Sequence, residues 1–173
     1  YFDYDGMWAV AGTVTVTTDG TTQTLDMTLS GVDNYCSIYH EPTDPNGCGI
    51  HIHSGTTCAG DAGGHYYDEG TFTDDPWVGI RYGGWGSTAG SHSGTTSVDT
   101  GLISSDLEGR ALIVHDYDGK RIACALLAAP TPAPSSSPTA PTLKPSPAPT
   151  PVPVVVDWKR QMDPQTLSVP AGT

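Results

Sequence analysis

The run Gly49-Ile50-His51-Ile52-His53 sets two imidazoles among strand-forming aliphatic residues. This composition predicts a β-strand, and side chains at i and i+2 of a strand share a face. His51 and His53 then point the same way, a few ångströms apart, as two ligands of one metal ion would. Two solvated histidines on a strand face fit the same spacing. The metal reading gains weight from His65 in a Gly-rich loop, from His115 at the end of an apolar run, and from Cys58 and Cys124. Imidazole ligands suit copper, zinc, iron or nickel.

The sequence on either side reads as strands and turns. Trp8 to Thr17 alternates small or apolar residues with threonines, and Leu25, Met27 and Leu29 alternate again after the turn signal Thr18-Asp19-Gly20-Thr21. Ser30 to Gly47 reads as a long loop, and Gly70 to Trp77 as a further strand. Tyr82 to Thr96 reads as a Gly/Ser/Thr-rich loop, where His92 is expected to be solvated, like His40 in the earlier loop. Arg110 to Val114 is a strongly apolar strand, Asp116-Tyr117-Asp118-Gly119 a tight turn, and Lys120 to Leu127 the returning strand. No stretch has the period of an amphipathic helix. Many short strands separated by turns predict an all-β sandwich or barrel.

Composition bounds the function. Seven basic against 19 acidic residues give a formal net charge of -12, which excludes nucleic acid and anionic membrane surfaces as favoured partners. No run is long and apolar enough to span a bilayer. The chain opens on Tyr1-Phe2-Asp3, as a processed chain or a fragment would. The four cysteines allow three pairings and include no Cys-x-x-Cys pair. Together with few lysines and many Thr, Ser and Gly, they predict an oxidising, extracellular or cell-surface location. The pairing expected is Cys36 with Cys48, closing a Pro/Asp/Asn-rich loop, and Cys58 with Cys124, tying a loop to a late strand.

At residue 130 the composition changes. We divide the chain into a β-domain over 1–129, a Pro/Ser/Thr-rich extended linker over 130–153, and a strand-forming segment over 154–173. Prolines spaced through the linker favour polyproline II, and 131–150 is a candidate for O-linked glycans. Val154-Val155-Val156 is the most β-prone run of the tail. It is expected to dock on another copy of the chain or to open a further β-domain. Trp158, Pro164, Leu167, Val169 and Ala171-Gly172-Thr173 resemble the opening strands of cupredoxin-type domains.

Four stretches, taken in order, resemble the copper/zinc superoxide dismutase family. They are Cys48-Gly49-Ile50-His51-Ile52-His53, then Cys58 with Gly63-Gly64-His65, then Gly109 to Asp116, then Lys120-Arg121-Ile122-Ala123-Cys124. The resemblance implies a Greek-key β-barrel. His51, His53, His65 and His115 match the family's copper ligands, Arg121 the arginine that guides superoxide, and Cys58 with Cys124 the intrasubunit disulfide. Residues 66–88 contain no histidine, and only Asp116 to Lys120 separate His115 from Arg121. Both departures resemble the secreted, copper-only branch, which implies one copper and no zinc. In that branch a carboxylate orients the histidine that zinc would otherwise hold. Asp74 and Asp75 are the candidates here, with Glu69 next. The implied activity is conversion of superoxide to O2 and H2O2, with His65 carrying a proton and Arg121 supplying fixed positive charge.

A second function fits some of the same features. The acidic charge opposes long-range attraction of superoxide, and the tail is unlike anything such an enzyme needs. Both suit a structural subunit of an extracellular filament or wall that reuses the barrel, with the Pro-rich tail linking neighbouring copies.

Overall fold

The computed structural model describes residues 1, 3–37, 41–83 and 90–128, and the backbone of 154–157; at 37 too only the backbone is described. Among the described residues, seven strands make up two antiparallel sheets: β1 (Ala11–Asp19), β2 (Thr22–Ser30), β3 (Ile50–His53), β4 (Ser91–Asp99), β5 (Ala111–His115), β6 (Arg121–Leu126) and β7 (Val154–Asp157). The larger sheet has the order β4-β2-β1-β7 and the smaller β3-β5-β6. Helical structure among the described residues is confined to two short 3-10 turns, Asn34–Ser37 and Ser104–Asp106. No helix of the described chain is long and apolar enough to cross a membrane.

Period-two patterning drives the packing. Val14 and Val16 of β1 and Leu25, Met27 and Leu29 of β2 are buried, while the residues between them are threonine, Asp26 or other solvent-facing groups. From the smaller sheet, Ile50, Ile52, Leu112, Val114, Ala123 and Ala125 join the same core. The opposite face of that sheet carries His51, His53, Ala111, Ile113, His115 and Cys124. It is buried as well, under loops, so all four residues of β3 and all five of β5 are buried.

The hairpin at Gly20-Thr21 forms as expected, with Asp19 paired to Thr22. Two expectations fail. Residues 70–77 form turns rather than a strand, because Asp68 and Asp75 accept backbone N–H groups of the residues after them. Such side-chain bonds compete with a sheet ladder. Ser91–Asp99 is β4, although its residues as far as Thr96 read as the end of a loop, and it pairs along the whole of β2. Its own alternation is weak, since only Val98 is buried; the partner strand supplies the register.

Val154–Asp157 is a strand, and it pairs with β1 of its own chain, Val14 opposite Val156. Within the single chain, β7 thus extends the larger sheet at the β1 edge. The linker, the cupredoxin-like positions and His40 lie outside the described residues.

Two disulfides are present, Cys36–Cys48 and Cys58–Cys124, with sequence separations of 12 and 66. Loop closure in the unfolded chain makes the longer one worth about 4 kcal/mol and the shorter about 3 kcal/mol. Replacing Cys58 and Cys124 together by serine should therefore lower the unfolding free energy more than replacing Cys36 and Cys48. Denaturant unfolding of the two double variants reads the difference, and the reverse order would contradict it.

A buried four-histidine cluster

His51, His53, His65 and His115 come together, each offering one ring nitrogen, with those nitrogens all within 4.8 Å of one another. β3 supplies His51 and His53 from one face, as its alternation requires. β5 supplies His115 at its end. His65 arrives from the loop that doubles back along β3: Gly55 N–H donates to Ala62 O, Ser54 N–H to Gly64 O and Tyr66 N–H to Ile52 O, which pairs His65 with His53.

Each ring is pinned through its other nitrogen. His51 Nε2 lies 2.8 Å from Ile80 O, His53 Nδ1 2.9 Å from Gly63 O, and His115 Nδ1 2.8 Å from Gly119 O. A carbonyl oxygen only accepts, so each of these nitrogens carries the proton and the opposite nitrogen keeps a lone pair. Those opposite atoms, His51 Nδ1, His53 Nε2 and His115 Nε2, are buried and have no hydrogen-bond partner. Buried polar atoms are normally satisfied, and here three orphans face one point. The fourth ring, His65, is held through Nδ1 by Asp75 Oδ2 at 2.6 Å, which leaves its Nε2 for the same point. The donor set fits a metal ion.

Glycines make room for this arrangement. A Cβ on Gly49 would sit 2.2 Å from His51 Cε1, so no other residue lets that ring seat. Gly119 has φ +80, and a Cβ there would meet the Asp44 carboxylate. Its left-handed turn is what aims its carbonyl at His115. Asp116 Oδ1 closes the turn by accepting Asp118 N–H and Lys120 N–H.

Arg121 reaches the cluster through a register shift. Val114 pairs with Ala123 but His115 pairs with Arg121, which leaves Ile122 as an extra residue. A bulge of this kind reverses the facing of the residues on its far side. Ile122 turns into the core, and Arg121 joins His115 and Cys124 on the histidine face. Its Nη2 donates to Gly63 O at 2.5 Å, the carbonyl that also accepts from His53; its Nη1 donates to Tyr1 Oη at 3.0 Å and to Asp61 Oδ1 at 2.6 Å.

Of the three carboxylates expected near His65, Asp75 reaches it. Its other oxygen accepts Trp77 N–H at 2.9 Å, and the buried Trp77 indole donates to Tyr66 O, so the loop bearing Asp75 is fixed. Asp74 and Glu69 lie beside Tyr67, whose phenol is shifted up by burial and by Asp75, Glu69 and Asp74. His92 sits apart, half-buried, its ring 6.2 Å from that of Tyr82. The carbonyl pins and the role of Asp61 are not legible in the sequence. A carbonyl leaves no trace in residue type, and Asp61 and Arg121 are visible there only as charges of unknown separation.

Comparison with protein-family models, with curated proteins and with solved structures finds no match to this chain. What the fold and the site define is a class: an all-β, doubly disulfide-linked domain with a buried four-histidine cluster that can hold a metal ion.

Burial is the largest cause holding His51 down to about 2, His53 to about 3 and His115 to about 4, with the neighbouring imidazoles adding to it. All three are neutral at pH 7, with lone pairs ready for a metal. Their unfolded values lie near 6.5, so as pH falls below that the unfolded chain takes up protons that the native chain refuses. Metal-free protein should therefore lose stability steadily from about pH 6.5 toward pH 4, by up to about 1.4 kcal/mol per pH unit for each histidine. Urea midpoints measured across that range test it, and a flat profile would contradict it.

Proposed function

We propose that this chain is an extracellular, copper-only superoxide dismutase-like domain. One copper would be held by His51, His53, His65 and His115, with no zinc, in a Greek-key arrangement of the two sheets. The observation that carries the proposal is the set of three buried, partnerless ring nitrogens converging with His65. Two disulfides in a small domain support the extracellular location.

The reaction takes two superoxide ions and two protons to O2 and H2O2, and a bound copper would supply the one-electron couple. The chain's own residues supply the rest. Arg121 offers a fixed positive charge to the anion. His65 is held by Asp75 through Nδ1, so Nε2 is the atom at which it would carry a proton, and only while that nitrogen is not held by the ion. The Asp75 carboxylate orients that ring, as the partner of a ligand histidine does.

Copper-loaded protein should dismutate superoxide well above free copper. Arg121→Ala should slow it about tenfold at low ionic strength, with the gap narrowing as salt shortens the screening length to ~8 Å. Asp75→Ala should weaken copper binding by about 10–100-fold. Loss of neither rate nor affinity in these variants would contradict the proposal, as would a tightly held stoichiometric zinc.

One observation favours the structural alternative, a subunit of an extracellular filament or wall. β7 lies beyond the Pro-rich segment and its backbone pairs with the edge of β1, an edge that the same strand of a neighbouring copy would also fit. O-linked glycans on 131–150 would belong to that assembly. Truncation after Ala128 separates the two: a filament subunit loses assembly, and an enzyme keeps its copper and its rate.

A further inference from the structure

Asp61 stands between Arg121 and solvent. Its side chain is 80% exposed against 27% for Arg121, and its Oδ1 lies 2.6 Å from Arg121 Nη1. The same oxygen accepts Gly63 N–H at 3.0 Å, which fixes the carboxylate in a tight turn next to the loop that carries His65. Both hydrogens of Nη1 are thus taken, by Asp61 and Tyr1, and one of Nη2 is taken by Gly63 O. The guanidinium bond and the Gly63 N–H hold the Asp61 carboxyl below its usual range, so it is anionic throughout the neutral range. A tethered carboxylate acts on its neighbour at high effective concentration. An anion arriving at Arg121 meets a cation already paired with a carboxylate, and to bind at Nη1 it must exchange with Asp61.

We propose that Asp61 is an intramolecular competitor for small anions at Arg121 and sets the anion affinity at the mouth of the histidine cluster. The proposed function enters only in naming superoxide as the anion; the site itself is a guanidinium with a displaceable carboxylate. Asp61 is a specificity residue, acting on the anion through Arg121.

The test uses the full chain, metal-free, at constant ionic strength. Phenylglyoxal modifies arginine, and mass spectrometry reads the rate at Arg121, with Arg110 as the internal control. Arg110 donates to Ser54 O and to the Tyr66 hydroxyl, neither of which is a partner of Asp61. Asp61→Asn removes the charge but keeps an oxygen for Gly63 N–H. It should speed labelling of Arg121 about two- to fivefold, the range expected for so exposed an ion pair. It should leave Arg110 unchanged and lower the azide concentration that protects Arg121 by a similar factor. Asp61→Glu should return both values toward those of the parent. Equal rates and equal azide protection in the parent and Asp61→Asn would overturn the proposal, and so would a parallel rise at Arg110, which would mean general loosening. Failure of the parent protein to take up copper would remove the proposed function while leaving this labelling comparison decisive.

Discussion

Three buried ring nitrogens without partners are the constraint around which this chain is arranged. Leaving a buried polar group unsatisfied costs about 1–3 kcal/mol, and a domain of this size is stable by only about 5–15 kcal/mol in total. A fold does not accumulate three such orphans at one point unless something offsets them. Two disulfides stabilise the chain against unfolding, and a ligand bound only by the native state stabilises it further by mass action. The carbonyl pins make the arrangement cooperative. Ile80, Gly63 and Gly119 come from three different loops, and each loop is ordered partly by the ring it holds.

Much of this plan is legible in the sequence, and the reasons are local. Ile50 to His53 alternates, so its strand character and the shared face of His51 and His53 follow from backbone geometry alone. Leu25, Met27 and Leu29 mark β2 in the same way. β4 is illegible because Ser91 to Asp99 has a weak alternation and buries only Val98; its place is set by pairing to β2, a non-local cause. Residues 70–77 mislead in the opposite sense, since aspartate side chains there capture backbone N–H groups and make turns.

The site shows the same division. The four histidines are legible as a set because residue type and order suffice to pick them out. The facing of Arg121 is not, because strict alternation puts residues 121 and 124 on opposite faces of β6. The extra residue at Ile122 reverses that parity, and nothing in Arg121-Ile122-Ala123-Cys124 announces a bulge. Choosing Asp75 over Asp74 and Glu69 likewise requires the turn that fixes Trp77. The acidic net charge, unfavourable for an anion at long range, acts locally through Asp61 on the guanidinium itself.

Copper titration of the metal-free chain, monitored by electron paramagnetic resonance, tests the central claim most directly. The account predicts one Cu(II) per chain, with hyperfine splitting from several imidazole nitrogens, and loss of that signal when His51 and His115 are both replaced by alanine. A signal from carboxylate or backbone donors that persists in the double variant would contradict it.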